Sequence, residues 1–198
     1  AQLHEAIDEA TPRPKALGVA GGDGTVAAVA AVAAERHLPL VLVPAGTLNH
    51  FARDVGVDGI ESVSIALRQG DGVRVDLSHV DVDDQVSRWF VNTASLGGYP
   101  DMVRLREKLT KRYGKWPAGA VALVRVLAKS MPLRMVINGE PHLVWMLFVG
   151  NGTYQPKGFA PTARPELDSG LMDVRYIRAD VRFSRLRFVL GAVMGALT

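Results

Sequence analysis

Apolar positions in the first seventy residues fall into two patterns. Leu3, Ala6, Ile7 and Ala10 share one face of a helix over residues 1–10, and Thr11-Pro12-Arg13-Pro14 breaks it. Ala16–Ala20 and Leu40–Val43 are instead short runs without a polar member, which predicts strands buried on both faces. Between them Val26–Arg36 is alanine-rich and helical, with Thr25 placed to start it. The turn Pro44–Asn49 opens a further helix through Arg53, and Val63–Gln69 is another. Helices alternating with all-apolar strands predict a parallel sheet covered on both faces, whose ligands sit at the carboxyl ends of the strands.

From Gly72 the period changes to two. Val73, Val75 and Leu77 alternate with Arg74, Asp76 and Ser78, and alternating or apolar runs return at 89–94, 133–137, 143–149 and 171–177. Asn138-Gly139 is a hairpin signal between two of these runs. The expectation is an α/β class chain in two domains: a parallel-sheet domain over 1–71 and a mostly antiparallel β-sandwich domain over 72–198. Helical insertions at 101–115 and Ala118–Lys129, and an apolar helix at 183–197, belong to the second. The chain opens at Ala1 inside a helical pattern, which reads as a missing start.

Composition narrows the chemistry. With no cysteine among 198 residues, disulfides, thiolate nucleophiles and Cys-zinc sites are excluded. A net charge of +3 is too small to argue for nucleic acid. No run reaches the roughly 20 apolar residues of a spanning helix, and no basic-then-apolar leader opens the chain, so a cytoplasmic protein is expected.

The stretch Val19-Ala20-Gly21-Gly22-Asp23-Gly24-Thr25-Val26 leaves the first strand through three glycines holding one carboxylate. Gly21, Gly22 and Gly24 allow positive φ and close approach to a ligand, while the first amides of the next helix face outward. Such a turn suits phosphate. Asp23 repels an anion unless a divalent cation lies between them, or unless it receives a proton from an attacking hydroxyl. The plainer reading is a strand-to-helix turn in which Asp23 helps cap its helix.

Gly21-Gly22-Asp23-Gly24-Thr25, followed after one helix and one strand by Pro44-Ala45-Gly46-Thr47-Leu48-Asn49-His50-Phe51-Ala52-Arg53, resembles the diacylglycerol kinase catalytic family, which includes bacterial lipid kinases and the sphingosine and ceramide kinases. The first five residues also occur in NAD kinases and are similar to part of phosphofructokinases, whereas the second block points to the lipid branch. The resemblance implies ATP and Mg2+ across the turns at 21–25 and 44–49, with the lipid entering between the domains. Gly21, Gly22, Gly24, Thr25, Gly46, Thr47 and Asn49 would bind nucleotide, Thr47 and Asn49 through side-chain donors.

Asp23 is the candidate carboxylate near the acceptor hydroxyl, as base or through magnesium. Asp76 supports it, at a place where the family has an acid that helps bind magnesium and phosphate. Asp168 and Asp173 match a family loop whose acids hold a structural magnesium, with Ser169 where a second acid is common. Many members carry glycine and aspartate where this chain has Leu48 and His50. Asn92–Gly98 and Gly150–Tyr154 resemble segments that line the cleft. Arg104, Arg106, Lys108, Lys111, Arg112 and Lys115, beside Trp116, form either a surface for anionic headgroups or a solvated helix.

The expected function is an ATP-dependent lipid kinase that transfers the γ-phosphate to a hydroxyl of diacylglycerol or a related lipid at a membrane surface; a homodimer is left open. Two alternatives stand beside it: an NAD kinase-like enzyme, and a nucleotide- or lipid-binding fragment without activity. The second arises because the family's earlier strand with an Asn-Pro phosphate turn and its late Asp-Gly-Glu segment are both missing; Asn138-Gly139-Glu140 falls at a hairpin tip. Gly22–Ala27 formally fits a dinucleotide fingerprint, but Pro44 follows the next strand where a ribose-binding acid belongs. There is no P-loop, and the five histidines show no metal-binding spacing.

Overall fold

The computed structural model describes residues 2–10, 12–82, 86–155, 163–184 and 186–187. They pack as two compact units: Ala1–Asn92 with Asn151–Thr153 and Arg164–Leu171, and Thr93–Gly150 with Tyr154–Ala163 and Met172–Thr198. Residues 72–92 therefore cluster with the first unit.

The first unit runs α1 (Gln2–Glu9), β1 (Leu17–Gly21), α2 (Asp23–Glu35), β2 (Leu40–Pro44), α3 (His50–Asp54), α4 (Ile60–Gln69), β3 (Ser78–Val82) and β4 (Val86–Phe90). β1 and β2 are parallel, with Leu17 opposite Leu40 and Gly21 opposite Pro44. That register sends the two glycine-bearing turns out of neighbouring strand ends. Apolar strands need cover on both faces, and the core gathers Val19, Val26, Leu42, Phe51, Ala52 and Val91. β3 and β4 form a separate antiparallel pair.

Two boundaries differ from expectation. α2 begins at Asp23, two residues before Thr25, because Gly22 takes the extended N-cap conformation (φ −90°, ψ 177°) and the alanine run propagates back to it. Gly72–Leu77 forms no strand, and the first strand after α4 is Ser78–Val82. The Asp76 backbone bonds elsewhere: its amide donates to Leu167 O at 2.7 Å and its carbonyl accepts from Asn151 Nδ2 at 2.6 Å. Alternation proposes a strand, but a ladder partner is needed to make one.

The second unit holds β5 (Thr93–Gly97), α5 (Tyr99–Tyr113), α6 (Lys115–Lys129), β6 (Leu133–Ile137), β7 (Glu140–Asn151, whose last residue joins the first unit) and β8 (Met172–Arg178). β5 and β6 pair antiparallel with successive halves of β7, and β8 also pairs with β7. The Asn138-Gly139 turn sits where expected, both residues at positive φ (52° and 85°) between Ile137 and its partner Glu140. Gly114, at φ 78°, divides the expected 101–115 helix from the next. Ala118, Ala122 and Val126 recur every four residues on α6 and are buried, the latter two against Met102, Trp145, Met146 and Ile177. α6 is thus a core helix. The expected helix over 183–197 lies outside the described residues beyond Arg187.

Candidate functional site

The site is built where β1 and β2 end. A Cβ added to Gly46 would lie 2.4 Å from Gly22 Cα and 2.7 Å from Asn49 Oδ1, so the two turns meet backbone to backbone and only glycine fits. Gly21 serves packing too: a Cβ there would stand 2.8 Å from Thr25 Cβ. None of Gly21, Gly22 and Gly24 is among the positive-φ residues, so the left-handed backbone that glycine allows is not used there. Gly21, Gly22 and Gly46 share close approach instead. Gly24 differs from the rest, because a Cβ on it would meet nothing within 4 Å.

Asp23 joins the two motifs. Its Oδ1 accepts from the Phe51 amide at 2.8 Å and from Asn92 Nδ2 at 2.9 Å, and its Oδ2 accepts from the His50 amide at 3.1 Å. The carboxylate therefore caps α3, not its own helix. α3 has five residues, too few to persist alone. It is held by that cap and by burial of Phe51 and Ala52, which are 4% and 2% exposed. Burial pulls the Asp23 carboxyl upward, yet the bonds from Phe51, His50 and Asn92, with the nearby His50 ring, outweigh it and lower its pKa. Asp23 is consequently ionised at neutral pH. Two carboxylate oxygens accept about four hydrogen bonds, so Oδ2, with one donor, keeps an acceptor position open.

The remaining predicted residues divide by use. The first helical amides of α2, at Asp23, Gly24 and Thr25, have no intrahelical partner, and Gly22 offers no capping side chain. Gly24, Thr25 and Thr47 are exposed. Asn49 points inward: its Oδ1 accepts from the Gly46 amide and its Nδ2 donates to Gly46 O, both at 2.8 Å. It shapes the turn from a left-handed backbone position (φ 47°). His50 is exposed, and Arg53 Nη2 reaches its Nδ1 at 3.0 Å and donates to Leu48 O at 2.8 Å. Since guanidinium is always a donor, His50 Nδ1 accepts, and a neutral ring carries its proton on Nε2.

Asp76 is half-buried, and its Oδ2 accepts from the Gly170 amide at 2.6 Å. Asp168 lies exposed on the segment Arg164–Leu171. Asp173, in the second unit, accepts from Arg175 Nε at 2.9 Å and from the Tyr154 amide at 3.0 Å. Burial raises its carboxyl, but Arg175 and the Tyr154 amide prevail and lower it. The Asp173 oxygens are thus occupied by Arg175 and the Tyr154 amide, and among the described residues no three acids or histidines converge on a point.

Three residues carry the first unit without having been given a role of their own by the sequence. Asn151, 1% exposed, donates to Asp76 O and Val91 O and accepts from Ser78 Oγ. Arg164 is buried against Val91 O, Asn151 O and Asp54. Asn92 meets Asp23. Asn151 lay inside the recognised Gly150–Tyr154 segment, whereas Arg164, between Ala163 and Pro165, belongs to no period or motif. A shallow groove in the second unit, bordered by Arg134, Val136, His142 and Asp180, contains none of the predicted residues.

Residues 1–80 match the diacylglycerol kinase catalytic domain family. The chain is 29% identical over 192 residues to a diacylglycerol kinase of Mycobacterium tuberculosis, covering 91% of this chain and 60% of that protein. It is 31% identical over 184 residues to the "Probable lipid kinase YegS-like" of Stenotrophomonas maltophilia, covering 86% and 57%. It thus spans somewhat over half the length of these relatives. A solved diacylglycerol kinase structure from Bacillus anthracis shares the fold at a TM-score of 0.55 and 18% identity, over all of this chain and 60% of that one. Another chain from that organism reaches a TM-score of 0.61 at 21% identity, over 98% and 64%. With both turns in contact, residues 1–80 belong to the diacylglycerol kinase catalytic domain family, and the likeness to diacylglycerol and lipid kinases runs along most of the chain.

Proposed function

We propose that this chain carries the core of an ATP-dependent lipid kinase that transfers a γ-phosphate to a hydroxyl of diacylglycerol or a related lipid. The observation that supports it best is the pairing of the motifs: Gly22 against Gly46, with the Asp23 carboxylate reaching from the first turn to the amides that open α3. The residues fit a triphosphate. The α2 amides at Asp23, Gly24 and Thr25 and the open space beside Gly24 form a cradle at a helix start, where anions bind. ATP with Mg2+ would supply the phosphoryl group and neutralise its charge.

Phosphoryl transfer is mostly positioning, and its loose transition state asks little of a base. An Asp23 held ionised suits that demand: it fixes the start of α3, just after the second turn, through two amide hydrogen bonds, accepts a third from Asn92, and keeps an Oδ2 position for an acceptor hydroxyl or a cation. Asn49 acts by shaping the turn, and Thr47, exposed at its tip, is the side chain there that can meet a phosphate. Asp76 supports through the loop it bonds. The α/β part takes the nucleotide and the β-rich part takes the lipid, with the exposed basic side chains of α5 facing anionic headgroups.

The test is transfer of labelled γ-phosphate from ATP to diacylglycerol in mixed vesicles, using the protein at its relatives' full length. Asp23→Asn should lower transfer about a hundredfold, the scale of one lost positioning contact. Undiminished transfer rejects the role of Asp23. A wild-type protein that phosphorylates NAD but no lipid rejects the lipid reading.

A further inference from the structure

The buried charge of the first unit lies outside both motifs. Arg164, with a side chain 1% exposed, arrives from the segment that returns to this unit, and Gly152, at φ 87°, leaves room for it: a Cβ there would stand 3.0 Å from Arg164 Cδ. Its Nη1 donates to Val91 O at 2.7 Å and to Asn151 O at 2.6 Å, and its Nη2 lies 3.1 Å from Asp54 Oδ2. Its guanidinium carbon is 5.8 Å from the centre of the Phe51 ring. Asp54 and Phe51 are the last and second residues of α3.

α3 is therefore gripped at both ends. Asp23 holds the amides at its start, Arg164 holds the carboxylate at its end, and the two grips share one strip of backbone: Arg164 bonds Val91 O, and Asn92 Nδ2 bonds Asp23. Burial raises the Asp54 carboxyl even against the pull of Arg164. A pair desolvated at such cost contributes little net stability, but it fixes a direction, because a planar guanidinium bonds only where its fork points.

We propose that Arg164 is a positioning residue for nucleotide binding: by anchoring Asp54 and Phe51 to the Val91–Asn92 strip, it holds α3, and with it the Gly46–Asn49 turn, in the arrangement that receives the triphosphate. This rests on the kinase reading for what is received, but not for the clamp itself.

The experiment uses the protein at its relatives' full length, with Arg164→Met, Arg164→Lys and Asp54→Asn. Asp54→Asn removes the charge pair while leaving the Arg164 bonds to Val91 and Asn151, which covers the case in which Arg164→Met does not fold. Amide exchange at Phe51–Val57 and the KM for Mg-ATP are measured beside the melting temperature. In the folded variants exchange at α3 should rise at least tenfold and the KM for ATP about tenfold, with kcat within about twofold. Arg164→Lys should recover part of both. Unchanged exchange at α3 in folded Arg164→Met or Asp54→Asn overturns the proposal, as does a fall in melting temperature with both readouts unmoved. If the wild type binds no Mg-ATP, the kinase reading fails while the exchange result still decides the clamp.

Discussion

Gly24 and Gly46 lack a side chain for opposite reasons. Around Gly46 the space is filled by Gly22 and Asn49, so Gly46→Ala should overpack the turn and cost about 1–3 kcal/mol, read from a denaturant midpoint. Around Gly24 it is open, so Gly24→Ala should leave stability unchanged or raise it by up to about 1 kcal/mol in an exposed helical turn. The same substitution should abolish Mg-ATP binding in a calorimetric titration, because its methyl enters the proposed phosphate cradle. Binding with wild-type affinity would remove Gly24 from the site. Asp23 adds a pH dependence. Its pKa is lowered on folding, so the stability it contributes is present above the ordinary aspartate value of 3.8 and is lost as pH falls below it, through the folded value. Asp23→Asn should accordingly lose less stability than wild type when melting is followed from pH 6 down toward pH 3.

At the scale of elements, α3 shows how local weakness serves a site. Five residues make no independent helix, so its position is decided by the groups that hold it. The α5–α6 pair is the contrasting case. Its inner face is settled by Ala122, Val126 and Met102 in the core, while Arg104, Lys108, Lys111 and Arg112 remain exposed. Lys108→Glu combined with Lys111→Glu should weaken sedimentation with phosphatidylglycerol vesicles by tenfold or more, since each basic charge near such a surface contributes about 1 kcal/mol. The difference should shrink at high salt. Equal binding of both proteins at low salt would make α5 a solvated helix.

At the scale of the molecule, the first unit is assembled from three stretches of chain. Asn151 and Arg164, the buried polar side chains of its centre, come from the two returning segments and bond Val91, Asp76 and Asp54. Residues 1–92 expressed alone should therefore unfold without a cooperative thermal transition, although both motifs lie within them. A sharp transition by circular dichroism would show that the returning segments are dispensable. The period changes at Gly72, but packing follows partners, and Asp76, Ser78, Val91 and Asn92 find theirs within the first unit.

Alternation and apolar runs were enough for β1, β2 and β6, and the Asn138-Gly139 dipeptide for its turn, because each depends on residues close in sequence. The same reading placed the start of α2 two residues late, where Gly22 takes the extended cap, and drew a strand from Val73, where the distant partners of Asp76 decided the outcome. The chemistry divides in the same way. Glycines around one acid at a strand's exit, and a second glycine turn one strand later, were legible as a phosphate-binding arrangement, since backbone access is written in residue type. That Asp23 caps α3, that Asn49 turns inward, that Asp173 is spent on Arg175 and that Arg164 closes the far end of α3 came only from tertiary structure. Each depends on which donor stands opposite an acceptor far along the chain, and no period or spacing records that.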